Sequence, residues 1–235
     1  MEFLKHTVFL LFLFISFSVN AQEDTIASDK SDDVFPSQKK QYFVFSPRVS
    51  ITVPHPIANK AFRKSFVGVY EVSAGLNMMI FKGAFVGVTY KNGLFKITEN
   101  KIPDLEANMA FNNAGIKIGT DFFVGDKNRI IGSAALTVGN NWTTFPSFRC
   151  KIDGGEPSIK GFSTTYIEPE VNLFFLIEQN FGIGATLSYS FFNRNFDPYE
   201  LCLNEWSQFD KENAGNIQYL SFGFGFYYSF LKKKG

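Results

Sequence analysis

The chain is poor in the residues that most chemistry requires. It has two cysteines and two histidines in 235 residues, and these form no cluster with metal-ligand spacing. No metal and no cofactor is therefore expected. Its formal net charge is only +1, which argues against nucleic acid as a partner, because phosphate binding needs a basic face. Beyond the N-terminal segment, no stretch reaches the roughly 18 apolar residues of a membrane helix. The mean hydropathy is -0.03 although 45% of the residues are hydrophobic, so apolar and polar residues must be interleaved.

What the chain does have is aromatic side chains, above all 30 phenylalanines, which favour strands. The N-terminus has the form of a secretory signal. Lys5 and His6 precede a short apolar core, Thr7 to Val19, and Val19-Asn20-Ala21 offers short residues where the peptidase pocket requires them. Cleavage is expected between Ala21 and Gln22. Residues 22–40 are acidic and carry little to bury, as in a disordered tether. The folded part, 41–235, then begins at Gln41.

From Gln41 onward the apolar residues alternate with polar or small ones, the period of a strand with two unlike faces. Near the C-terminus Leu220, Phe222, Phe224, Phe226, Tyr228 and Phe230 oppose Tyr219, Ser221, Gly223, Gly225, Tyr227 and Ser229. Phe181, Ile183, Ala185, Leu187, Tyr189 and Phe191 oppose Gly182, Gly184, Thr186, Ser188 and Ser190. Six more strands are expected near Gln41–Val53, Phe66–Phe81, Ala84–Ile97, Ala110–Val124, Arg129–Thr144 and Thr164–Glu178. Each can cross a bilayer at a tilt, which takes about 9–11 residues.

Their connections alternate in length. His55–Ser65, Thr98–Met109, Phe145–Ser163 and Phe196–Asn213 are long; Lys82-Gly83, Gly125 to Asn128 and Gln179-Asn180 are tight. Short turns on one side and long loops on the other are the pattern of an outer-membrane β-barrel. The expected fold is all-β, an eight-stranded antiparallel transmembrane up-and-down barrel, with periplasmic turns and extracellular loops. It must close, because a free strand edge in hydrocarbon leaves backbone groups unpaired. Pro47 and Pro169 fall inside expected strands, where each removes a ladder donor, so a bulge or a later strand start is expected at both.

Two segments carry a family resemblance. Tyr166-Ile167-Glu168-Pro169-Glu170-Val171-Asn172-Leu173 resembles a strand common in the porin-like outer-membrane β-barrel family of Bacteroidota. The ending Ser221 to Phe230 resembles the aromatic last strand read by the barrel-assembly machinery, and Asn20-Ala21-Gln22 is similar to signal junctions of that phylum. The chain departs from the pattern in continuing through Leu231 to Gly235. The resemblance implies the fold, the outer membrane as location and the assembly machinery as a partner; it implies no activity.

With apolar faces toward lipid, the lumen would hold Arg48, Glu71, Lys91, Lys117, Asp121, Glu168, Glu170 and Arg194. An eight-stranded barrel is just wide enough for side chains to fill it, and buried charges must pair, so a plugged lumen is expected rather than an open pore. Cys150 and Cys202 fall in long loops on the exported side, where a disulfide between them is expected. His55, the one histidine after the signal, sits between two prolines in the first loop, with Ser65 nearby and Asp104 and Glu106 in the second loop. A lipid-A-modifying enzyme would need these within hydrogen-bond reach; a surface loop histidine is the simpler reading, and no enzyme activity is expected. Basic loop residues (Lys60, Arg63, Lys64, Arg149, Lys151, Lys160) suit lipopolysaccharide phosphates. Tyr199, Trp206 and Phe209 among acids suit an extracellular ligand, and Trp142 and Trp206 suit an interfacial girdle. The function expected is a structural or surface-interaction barrel in outer-membrane lipid. The alternatives are a small passive channel, the lipid-A enzyme, and a soluble carrier barrel whose apolar faces point inward.

Overall fold

The computed structural model describes residues 43–81, 83–97, 108–124, 129–146, 159–178, 180–203 and 215–231. The signal segment with the Ala21/Gln22 junction, the tether 22–40, Cys150, Asp104, Glu106, Trp206 and Phe209 lie outside them. Strands β1 (Phe43–Ala58), β2 (Phe66–Phe81), β3 (Ala84–Ile97), β4 (Asn108–Val124), β5 (Ile130–Thr144), β6 (Gly161–Leu176), β7 (Phe181–Phe196) and β8 (Gly215–Tyr228) pair antiparallel with their chain neighbours. β1 pairs with both β2 and β8, which closes the sheet into a barrel. A two-residue strand, β9 (Phe230–Leu231), continues the line of β8 along β1. A helix α1 (Lys60–Ser65) and a 3₁₀ turn (Pro198–Leu201) lie at the long-loop end. No helix among the described residues is long and apolar enough to cross a membrane; the strands do the crossing.

The alternation in the sequence decides which side chains meet what. On β8 the even positions point out and the odd positions in, without a break from Ile217 to Tyr228. Phe224 is 65% exposed and Phe222 58%, while Tyr219 and Tyr227 are fully buried. Leu187 and Ile183 are also exposed on the outer wall, which excludes the soluble carrier with an apolar interior. The outward apolar row from Leu220 to Phe230 covers about ten residues. At a rise of about 3.3 Å and a tilt of about 40° it spans about 25 Å, the height of a barrel's lipid belt. Tyr70, Tyr90, Asn92, Asn112 and Trp142 face outward at its long-loop edge, where Tyr90 donates to Asn112 Oδ1 at 2.6 Å. Such amphipathic side chains suit the interface between lipid and water.

The prolines are accommodated by interruptions of the ladder. Pro47 pairs with Leu76 on β2, but on its other side the β8–β9 line breaks at Ser229, whose N–H donates instead to Asn180 O. Pro169 pairs with Leu136 on β5, while the β6–β7 ladder skips from Ile167–Phe191 to Glu170–Ser188. The first long loop is shorter than the sequence pattern predicts. β1 runs on through Pro54, His55 and Pro56, opposite Ser221, Leu220 and Tyr219 of β8. The β1–β2 ladder has already ended at Thr52–Glu71, so over these residues β1 is an edge toward β2, and prolines are tolerated on such an edge. At the short-turn end Gly83 adopts φ +93, and a side chain there would meet Asp121 O at 2.4 Å. Glycine is the residue for that turn.

Candidate functional site

The interior is stacked in three layers. At the long-loop end Phe62, Phe66, Phe95, Phe111, Phe196 and Tyr219 form the centre of a buried aromatic cluster, with ring centroids 5.3–5.7 Å apart. Two loop elements complete it from above. α1 brings Ala61 and Phe62, and the 3₁₀ turn with its flank brings Leu201 and Leu203, all at most 1% exposed. Asn59 fixes α1 in place: its side chain accepts from Phe62 N at 3.1 Å and donates to Phe196 O at 3.2 Å and Gly215 O at 2.6 Å. Close packing here needs a missing side chain, because a Cβ on Gly93 would lie 2.2 Å from the Phe111 ring.

The middle layer is polar and ionic. Lys91 Nζ stands 2.7 Å from Glu168 Oε1 and 3.2 Å from Glu71 Oε1. Thr52 Oγ1 donates to Glu71 at 2.9 Å, and Ser190 Oγ donates to Glu168 Oε2 at 2.5 Å. Lys117 donates to both oxygens of Glu170 at 2.8 and 2.9 Å, and Asn172 donates to the same carboxylate at 2.8 Å. Above them Thr143 donates to Asn141, Asn141 to Asn113, and Asn113 to the Tyr219 hydroxyl. Every one of these side chains is buried. Burial of so much charge is tolerable only with such pairing and hydrogen bonding.

Toward the short turns Arg48 changes the character again. Its guanidinium donates to Asp121 Oδ2 at 2.5 Å and Ser133 Oγ at 2.7 Å. It also lies over the rings of Phe85, Tyr227 and Phe174 at 4.9, 5.2 and 5.7 Å, which attracts a cation to the ring faces. Phe174 and Tyr227 belong to a second buried cluster with Ile131 and Leu176. Between the ionic and lower layers, a cavity bordered by Arg48, Asn77, Lys117, Glu170 and Thr186 has a volume of about 10 Å³, room for about one water.

Seven of the eight charges assigned to the lumen by alternation thus meet in it, in three groups: Arg48 with Asp121, Lys91 with Glu71 and Glu168, and Lys117 with Glu170. Arg194 is the correction. It sits at the long-loop end of β7, about a third exposed, paired with Glu200 at 2.8 Å and stacked on Phe162 at 4.6 Å. The 3₁₀ turn that carries Glu200 rises beside it and captures it before it can reach the interior.

His55 is likewise corrected: it is a strand residue whose side chain faces the outer wall, not a loop residue. Ser65 is buried and its hydroxyl donates to Ala61 O at 2.8 Å, so nothing brings the two together. Cys202 follows the 3₁₀ turn with φ 56 and is disulfide-bonded. The aromatic cap escaped the strand pattern because Phe62, Leu201 and Leu203 lie between strands, where alternation is silent. The signal that could have found it is the run Lys60-Ala61-Phe62-Arg63-Lys64-Ser65 after Asn59, an N-cap followed by an amphipathic turn.

No protein-family model and no curated protein sequence matches the chain. Solved structures do resemble it in shape. The Neisserial surface protein A aligns with a TM-score of 0.50 at 11% identity, over 79% of this chain and 97% of that one. Ail, the attachment invasion locus protein of Yersinia pestis, aligns at 0.47 and 14% identity, over 79% and 97%. The outer membrane protein OprG from Pseudomonas aeruginosa aligns at 0.47 and 13%, over 81% and 97%. At such identities the likeness speaks for the fold alone, and that fold is the small β-barrel of the bacterial outer membrane.

Proposed function

We propose that this protein is a non-conducting outer-membrane barrel whose work is done at its long-loop end, as a structural or surface-interaction module. The observation that carries this reading is the interior itself. An aromatic cap, an ionic layer and an arginine held among rings follow one another along the axis, and the cavity between the lower two has room for about one water. Steady ion flow needs a continuous hydrated path, and each layer interrupts one. Reconstitution in planar bilayers with single-channel recording is the test: a silent barrel is expected, and a steady, reproducible conductance would defeat the plugged lumen in favour of a small channel.

The remaining features of the reading follow from its location. The N-terminal segment exports the chain, the outward row ending at Phe230 addresses the assembly machinery, and the long loops lie outside, near lipopolysaccharide or an external ligand. The short segments around Pro169 and Phe222 support a place among the porin-like barrels of Bacteroidota. A lipid-modifying activity is not proposed, since His55 faces the outer wall while the Ser65 hydroxyl is occupied beneath α1.

A further inference from the structure

One carboxylate in the ionic layer holds two groups that can react with each other. Glu170 Oε1 accepts from Lys117 Nζ at 2.8 Å and from Asn172 Nδ2 at 2.8 Å. An amine and a carboxamide are thus held on one oxygen, on strands β4 and β6 with β5 between them. All three side chains are buried, none more than 5% exposed. Lys91 is differently placed. Its partners are the carboxylates of Glu71 and Glu168 and the Ser188 hydroxyl, and a carboxylate is a poor target for an amine. Lys117, Glu170 and Asn172 also border the small cavity, together with Asn77 and Thr186. Thr186 is the cross-strand partner of Asn172. Its hydroxyl and both polar atoms of the Asn77 side chain are buried without a hydrogen-bond partner among the described residues. Unsatisfied groups of this kind are costly in a folded interior, and here they stand beside a carboxamide that shares its acceptor with a lysine.

We propose that the barrel joins its own strands here, through an isopeptide bond between Lys117 Nζ and Asn172 Cγ formed with loss of ammonia. Lys117 Nζ passes a proton to Glu170, and its freed electron pair forms the bond to Asn172 Cγ. Glu170 hands that proton to Nδ2, the Cγ–Nδ2 bond breaks, and its electron pair leaves with the ammonia. A second proton passes from Nζ to Glu170, which ends as a neutral acid beside a neutral amide. No charge is left uncompensated in the lumen, and no oxidant or co-reactant is needed. Glu170 is already in hydrogen-bond contact with both nitrogens, the requirement for a general acid–base. The Thr186 hydroxyl and the Asn77 amide can donate to the Asn172 oxygen as negative charge gathers on it. The cavity of about 10 Å³ has room for the departing ammonia, which is close to a water in size. A single turnover in the life of each chain suffices, so the neutral amine need exist only briefly. The product ties β4 to β6 across the lumen and makes a covalent ring of the chain between them.

The first test needs no variant. The mature chain is produced unfolded, and its intact mass is measured after reduction, before and after refolding into phosphatidylcholine vesicles. Heat-modifiable gel mobility verifies the refolding. The mass of the linear sequence is expected before folding, and a mass lower by one ammonia after it. Tryptic digestion of the refolded protein, denatured again by heat, should yield one branched peptide that carries both Lys117 and Asn172, with no cleavage after Lys117. Protein extracted from membranes, which has folded in the cell, should give the same peptide. A folded barrel that keeps its full mass overturns the proposal. So does loss of ammonia with linear peptides only, which would mean that Asn172 had closed on its own backbone. Glu170→Gln keeps the amine and the carboxamide but removes the proton carrier, and is expected to slow the linkage roughly a hundredfold. Linkage at the parent rate in a folded Glu170→Gln barrel overturns the role given to Glu170.

Discussion

Lys91 is the side chain on which the ionic layer turns. It is 1% exposed and is the cation beside two carboxylates, Glu71 and Glu168, themselves at most 1% exposed. Replacing it with methionine keeps most of the volume and removes the charge. Breaking a buried pair by deleting one member costs about 3–5 kcal/mol, because the other is left uncompensated. Here two carboxylates are left, so Lys91→Met is expected at the upper end of that range. Urea unfolding in lipid vesicles, followed by gel mobility and tryptophan emission, reads the loss as a lower midpoint. The triple variant K91M/E71Q/E168Q is expected to recover most of it, to within about 1–2 kcal/mol of the parent. The Thr52 and Ser190 hydroxyls can still donate to the amide oxygens there. A Lys91→Met barrel as stable as the parent would refute the reasoning, and so would a triple variant no better than the single one.

Other perturbations probe the remaining layers. Phe224→Arg places a charge near the middle of the outward row and is expected to cost about 2–4 kcal/mol in lipid; an unchanged unfolding midpoint would contradict the direction of the wall. Gly93→Val forces a side chain into the Phe111 ring and is expected to destabilise by about 1–3 kcal/mol through overpacking, measured the same way. Asn59→Ala removes a cap and two further hydrogen bonds from a residue at φ 60. It is expected to cost about 1–2 kcal/mol and to speed hydrogen exchange across α1, with unchanged exchange counting against the anchoring role. A Cys150–Cys202 disulfide predicts a mass two hydrogens lower without reductant than with it, and alkylation of both thiols in unreduced protein would reject the pair.

Much of this could be read from the chain because a two-faced strand writes its orientation into every second residue. Phe222 and Phe224, or Lys91 and Glu168, are sorted to wall or lumen by parity alone, and the alternating connection lengths set the strand number. Parity says nothing about height, however. Arg194 has the same parity as Phe192, yet it stands at the level of the 3₁₀ turn and meets Glu200 instead of the interior. Nor does parity reach past the strands. Phe62 reads as one loop residue among many until α1 turns it into the mouth. His55 departs from the pattern for a different reason: prolines on either side ordinarily end a strand, and only the missing ladder to β2 beyond Thr52 lets β1 continue.

The ion pairs join distant strands: Arg48 on β1 to Asp121 on β4, Lys91 on β3 to Glu168 on β6, Lys117 on β4 to Glu170 on β6. None links a hairpin, apart from the shorter reach of Lys91 to Glu71 on β2. A growing sheet of β1–β4 would therefore present Lys117 to acyl chains on its concave side with its carboxylate strand not yet in place, and Arg48 with its partner at the opposite edge. Stepwise entry, one hairpin at a time, is penalised by that exposure, and the sheet must curl until its far strands arrive before hydrocarbon can surround it. The order of events during insertion is thus written across the lumen: curvature first, immersion afterwards.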